Sequence, residues 1–259
     1  MSTDQSSSSA RDYLELAHAM IDRMATSQAD ALHRAAEAIE ACIRNDGVVH
    51  SFGTGHSAGL AMEVSGRAGG LIATNLLQLQ DIIVYGGASP QSLHWYSERD
   101  LAKAGEVLDL AEIHPADLFV VISNSGANGS IVELARRVKA DGHTVIAFTS
   151  LDHSTKVASG HPSGLRLFEI ADVVVDNCAP YGDSALALPD GTPFAPVSSL
   201  TTVVAVQMVM TEVITALTRD GSTPPIYLSA NIPGGDDHNE RLVAHYGTRI
   251  RREAYAESE

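Results

Sequence analysis

The chain has 259 residues, 44% apolar and 19% charged, with 17 Lys and Arg against 32 Asp and Glu for a formal net charge of −15. That length buries a full core, and the acidity excludes nucleic acid and anionic membrane surfaces as partners, since both reward clustered Lys and Arg. Cys42 and Cys178 have neither metal-ligand spacing nor a disulfide framework, and the polar, Ser-rich start lacks an apolar leader core, so the expected compartment is a reducing cytoplasm.

In chain order, residues 1–9 read as a disordered tail. Leu14, Ala17, Met20, Ile21 and Met24, then Leu32, Ala35, Ala36, Ile39 and Ile43, recur at helical spacing. They predict two amphipathic helices within 10–46, stopped by Asn45-Asp46-Gly47 and suited to dimerisation. A βαβ rhythm follows. Strands are predicted at 48–52, 71–79, 118–122, 144–149 and 173–175, with helices at 57–67, 92–110, 131–140, 197–218 and 240–252. Loops are expected at 86–90, 160–164 and 189–196. Strands that are apolar throughout and alternate with helices imply a parallel sheet covered on both faces. Residues 197–217 form the most membrane-like stretch, but Ser198, Ser199, Thr201, Thr202, Gln207, Thr211 and Glu212 interrupt it, so a buried helix is expected.

Chemistry concentrates at two strand ends. Residues 119–122 are apolar and run into Ser123-Asn124-Ser125-Gly126-Ala127-Asn128, before the helix at 131–140. Ser123, Asn124, Ser125 and Asn128 therefore sit beside the unpaired amides of a helix N-terminus, where an anion such as phosphate is favoured. One capping residue would serve a purely structural role; four polar side chains in six positions exceed it. The earlier strand delivers Gly53-Thr54-Gly55-His56-Ser57-Ala58, whose glycines let a ligand approach the backbone. This nearly fits the G-x-G-x-x-A dinucleotide fingerprint, but no acid ends the following strand until Asp81, and the P-loop lysine is absent.

Gly-x-Gly-x-Ser after one strand and Ser-x-Ser-Gly-x-x-Asn after a later one resemble the sugar isomerase (SIS) family. The resemblance covers about residues 48–217. It implies a three-layer α-β-α sandwich on a five-stranded parallel, flavodoxin-like sheet, with an SIS phosphosugar-binding domain at 47–220 and a C-terminal tail at 221–259 that completes the site. In family terms Ser57, Ser123, Asn124, Ser125 and Asn128 hold a sugar phosphate, Asn128 standing where many relatives carry Thr, and Gly55 and His56 face the sugar. Glu63-Val64-Ser65-Gly66-Arg67, Thr149-Ser150-Leu151, Asp176-Asn177, Ser229-Ala230-Asn231 and Asp236-Asp237-His238-Asn239 resemble the single-domain branch. Its activity is dehydration of N-acetylglucosamine 6-phosphate, and it is related to N-acetylmuramic acid 6-phosphate etherases. The ligand implied is a phosphorylated amino sugar, with no cofactor and no metal, in a homodimer or higher homo-oligomer with shared active sites. A phosphosugar aldose–ketose isomerase and a non-catalytic sugar-phosphate sensor are the alternatives.

Elimination across C2–C3 requires a base for the C2 proton and an acid for the departing C3 oxygen. Glu63 is the first candidate, two turns into the helix after the first loop, against the plain alternative of an i,i+4 ion pair with Arg67. Glu98 is the second, against a solvated Glu beside Arg99. His238 is the third, at the start of the last helix, where an imidazole titrating near neutrality could open the ring or protonate the leaving group.

Overall fold

The computed structural model describes residues 9–251; the predicted tail up to residue 8 and residues 252–259, including the end of the last predicted helix, lie outside the described residues. Ser9, the first described residue, acts as a cap. Its hydroxyl accepts the Asp12 amide, and the Asp12 carboxylate accepts the Ser9 amide at 2.6 Å, a reciprocal capping box. The two predicted helices follow as α1 (Ala10–Ser27) and α2 (Ala29–Arg44).

Five strands form one sheet: β1 (Val49–Gly53), β2 (Thr74–Leu77), β3 (Leu118–Ile122), β4 (Thr144–Thr149) and β5 (Val173–Asp176). Their order is β2-β1-β3-β4-β5 and every pairing is parallel. Both faces are covered, which is why the strands lack polar alternation. Leu118, Val120, Ile122, Ile146 and Phe148 join a core with α2, with α3 (His56–Val64) and with the long α8 (Ser198–Leu217). Phe119, Val121, Val145 and Ala147 face the opposite core, with Ile82 of α4 (Asp81–Val84), α5 (Ala102–Leu108) and α6 (Gly129–Ala140). The short α7 (Leu151–Ser154) follows β4, and α9 (Gly235–Tyr246) follows α8. This is the predicted α-β-α sandwich.

Several boundaries differ from expectation. The helix predicted at 92–110 is instead two 3-10 turns, Pro90–Ser92 and Ser97–Arg99, and the short α5. The cause is local competition for backbone amides: Ser97 Oγ accepts from the His94 amide at 2.7 Å and Asp100 Oδ1 from the Ala102 amide at 3.0 Å. The loop expected at 189–196 contributes to a small hairpin of β6 (Leu186–Ala187) and β7 (Pro193–Phe194). The last helix starts earlier than expected, at Gly235, and ends at Tyr246. Among the described residues, α8 is the one helix long and apolar enough to cross a membrane by length and composition; half of its most apolar window is buried in this fold.

Candidate active site

Between β1 and β3 the strand order reverses, the chain having gone outward to β2 before returning. Open α/β sheets bind ligands outside the strand C-termini at such a switch point. Gly53 and Ile122 are register partners there, so the turns after β1 and β3 emerge side by side. They open into a cavity of about 530 Å³ lined by Thr54, Gly55, His56 and Ser57, by Glu98, by Asn124, by Asp183 and Ser184, and by Ser198 and Ser199 at the start of α8.

The first turn depends on its glycines. A Cβ on Gly53 would lie 2.4 Å from the Ser57 carbonyl oxygen, and Gly55 has φ +56°. Gly55 is the N-cap of α3 and supplies no side-chain cap, so His56 and Ser57 enter the cavity from an uncapped first turn. Glu98 arrives from the segment that breaks the predicted helix. Its Oε2 accepts the Thr54 hydroxyl at 3.1 Å, and its backbone carbonyl accepts Ser130 Oγ at 2.7 Å. Gly129 makes this approach possible, since a Cβ there would sit 2.4 Å from the Arg99 carbonyl oxygen.

In the second turn the four polar residues divide their work. Ser123 is buried and its hydroxyl accepts the Gly126 amide at 3.1 Å, shaping the loop. Ser125 Oγ accepts the Ala127 amide at 3.4 Å. Asn128 occupies the N-cap of α6 without a side-chain capping bond, so no side chain caps the first-turn amides from that position. Asn124 lines the cavity, and its Oδ1 accepts Asn177 Nδ2 at 3.0 Å. Asp183 faces the same space, but accepts the Val197 and Ser198 amides at 3.1 and 2.8 Å and Ser198 Oγ at 2.6 Å, and so caps α8.

Five predicted residues are not among those lining the cavity: Ser123, Ser125 and Asn128, which belong to its second turn, and Glu63 and His238, which are held elsewhere. Glu63, on α3, pairs with Arg67 and accepts Gln207 Nε2 of α8 at 3.3 Å. His238 donates through Nε2 to the Ile226 carbonyl at 2.9 Å. Its neighbours explain the motif around it: Asn239 Oδ1 accepts the Leu228 amide and its Nδ2 donates to the Leu228 carbonyl, while a Cβ on Gly235 would lie 2.2 Å from the Ser229 carbonyl oxygen. That motif clamps residues 226–229, which run beside residues 69–72 through the Leu71–Ile226 bridge. Sequence reasoning missed Thr54, Asp183, Ser184, Ser198 and Ser199 as cavity residues. The Ser198-Ser199 pair carried a helix-start signal, but read as polar interruptions of an apolar run. Among the described residues no three His, Cys, Asp or Glu side chains converge as a metal site.

A five-stranded parallel sheet with a polar cavity at its switch point defines an α/β ligand-binding domain, and the pattern described as the SIS domain matches residues 12–150. The chain belongs to the SIS domain family. A UPF0309 protein of Caldanaerobacter subterraneus is 35% identical over 243 residues, covering 92% of this chain and 98% of the relative. One of Geobacillus kaustophilus is 36% identical over 239 residues, covering 92% and 94%. Among solved structures, phosphoheptose isomerases of Neisseria gonorrhoeae and Francisella tularensis each superpose with a TM-score of 0.54 at 16% and 17% identity, covering 78% of this chain and 95% of theirs. At that identity they share the fold.

Proposed function

We propose that the protein binds a phosphorylated amino sugar at the switch-point cavity and eliminates water from N-acetylglucosamine 6-phosphate. The observation that carries this reading is the meeting of a carboxylate, Glu98, with the uncapped start of α3 and the donors Ser57 and Asn124 in one cavity, Asn124 belonging to the turn that leads to the uncapped start of α6. The phosphate lies over the β3–α6 turn, against Ser125, Asn128 and the α6 amides, within reach of Ser57; Ser123 holds the turn in shape. Gly55 and His56 lie along the sugar.

In the open-chain form the C1 aldehyde acidifies C2. Glu98 takes the C2 proton, the C–H electron pair becomes the C2–C3 double bond, and the C3 oxygen leaves with its bonding pair. That oxygen gains a proton and departs as water. Two groups of the cavity can supply the proton, the newly protonated Glu98 and His56. Atoms and charge balance without a cofactor. Glu63 and His238 serve this cavity only if a second copy brings them to it. The face of α8 with exposed Leu200 and Met208 is the surface for such a homodimer. Incubation with N-acetylglucosamine 6-phosphate, followed by mass spectrometry and NMR, tests the reading. Loss of one water supports it. A ketose product makes the protein an isomerase, bound ligand without turnover makes it a sensor, and loss of acetate or ammonia overturns the elimination.

A further inference from the structure

Asn177 follows β5 and is 2% exposed, and every polar atom of its side chain is committed. Its Oδ1 accepts the Ala179 amide at 2.9 Å. Its Nδ2 donates to Asn124 Oδ1 and to Thr202 Oγ1, each at 3.0 Å. A backbone N–H can only donate, so the Ala179 amide settles which end of the Asn177 amide is oxygen. The end facing Asn124 is therefore a donor, and it takes the Asn124 oxygen. Asn124 is left with Nδ2, which makes no hydrogen bond to the protein among the described residues, on the wall of the cavity.

We infer that Asn177 is a positioning residue that holds Asn124 with its amide N–H groups toward the ligand, so that the cavity selects an oxygen-rich, anionic group at this wall. This rests on the proposed phosphosugar site and adds a selectivity element to it. An unanchored Asn124 could turn its carbonyl toward the ligand, and a carbonyl repels a phosphate oxygen. The relay originates at a backbone amide of residue 179 and reaches the ligand through two side chains. The Thr202 hydroxyl, on α8, takes the second Asn177 proton and leaves no competing acceptor for it.

The test uses Asn177→Asp and Asn177→Ala with the full-length chain. In the first, the carboxylate still accepts the Ala179 amide but can only accept from Asn124, which must turn over. In the second, Asn124 is released. Affinity for N-acetylglucosamine 6-phosphate is expected to fall at least tenfold in Asn177→Asp and about fivefold in Asn177→Ala, with binding of unphosphorylated N-acetylglucosamine moved less. Unchanged affinity in Asn177→Ala beside a loss in Asn177→Asp would reduce the effect to added charge and overturn the inference. The order of the Asn124 side-chain amide, read by its 15N heteronuclear NOE, decides the relay without any ligand: it is expected to drop in Asn177→Ala. An Asn124 amide as rigid in that variant as in the wild type also overturns the inference. A wild-type chain that binds neither sugar refutes the site reading alone.

Discussion

Thr54 donates its hydroxyl hydrogen to Glu98 Oε2 across 3.1 Å, joining the first cavity turn to a segment 44 residues further along. The bond fixes one carboxylate oxygen, and on the proposed reading the other takes the substrate proton. Glu98→Gln should therefore lower kcat by ~10²–10⁴-fold, the usual contribution of a positioned acid–base group, with ligand binding retained. Thr54→Val should lower it by about tenfold, since one hydrogen bond to a charged group is lost. Steady-state kinetics beside calorimetric binding separates the two effects. A Glu98→Gln protein with wild-type turnover removes Glu98 from the chemistry.

The approach of Glu98 depends on a position without a side chain. Gly129→Ala would place a methyl group 2.4 Å from the Arg99 carbonyl oxygen, and backbone must move to admit it. Moving Arg99 also strains the Ser130 hydroxyl bond to Glu98. We expect a loss of ~1–3 kcal/mol in urea denaturation, as for other overpacked sites, together with a fall in kcat. Wild-type values for both would show that the segment is not held there.

The sheet was legible because β3 is apolar throughout and β4 is apolar between its terminal threonines, the pattern of strands buried on both faces. The two loops were legible because Gly53, Gly55 and the Ser123–Asn128 cluster carry local signals. Glu98 was harder. Its place in the cavity comes from Gly129, Ser130 and Thr54, distant in the chain, while Ser97 and Asp100 cut the expected helix by bonding to nearby amides. Asn177 was visible only as part of a motif, because the partners that give it meaning lie at 124, 179 and 202.

Glu63 offers a direct contrast with Glu98. It pairs with Arg67, three residues past the end of α3, and touches Gln207 of α8, away from the cavity of its own chain. Glu63→Gln should cost only ~0.2–1 kcal/mol, the usual value of an exposed ion pair, and should leave kcat within the same order of magnitude. A collapse of turnover as deep as that of Glu98→Gln, in a folded protein, would transfer the base role to Glu63 at a shared site.

The α8 face is expected to be covered by a second copy. Leu200 and Met208 are exposed on it, with Val203, Val204 and Thr211 between and beside them. Replacing Leu200 and Met208 together by Glu should convert the dimer to monomer in light scattering behind size exclusion, because paired acids would meet across a two-fold axis. A wild-type protein that runs as a monomer at micromolar concentration rejects this interface.

Stability should fall in two steps as pH drops, both arising beneath the sheet. His50 and Asp117 are fully buried side chains paired at 3.1 Å, with Arg249 on the other Asp117 oxygen at 2.8 Å. Asn75 Nδ2 lies 3.2 Å from His50 Nδ1, and His143 and Phe119 pack alongside. Burial pushes His50 below the ordinary histidine range, with Asp117 pulling the other way. The native state then refuses a proton that the unfolded chain accepts below about pH 6.5, so stability declines as pH falls through that value, by at most ~1.4 kcal/mol per pH unit. Burial raises the Asp117 carboxyl, but hydrogen bonds from His50 and from the His114 and Val48 amides outweigh it and hold it at about 2. Its contribution is complete above the unfolded value near 3.8 and disappears as pH falls toward 2, on the order of 2 kcal/mol. Urea midpoints measured from pH 7.5 to 2 read both steps. His50→Gln should flatten the decline below pH 6.5 and leave the acid step standing; a slope unchanged by that substitution would place the responsible histidine elsewhere.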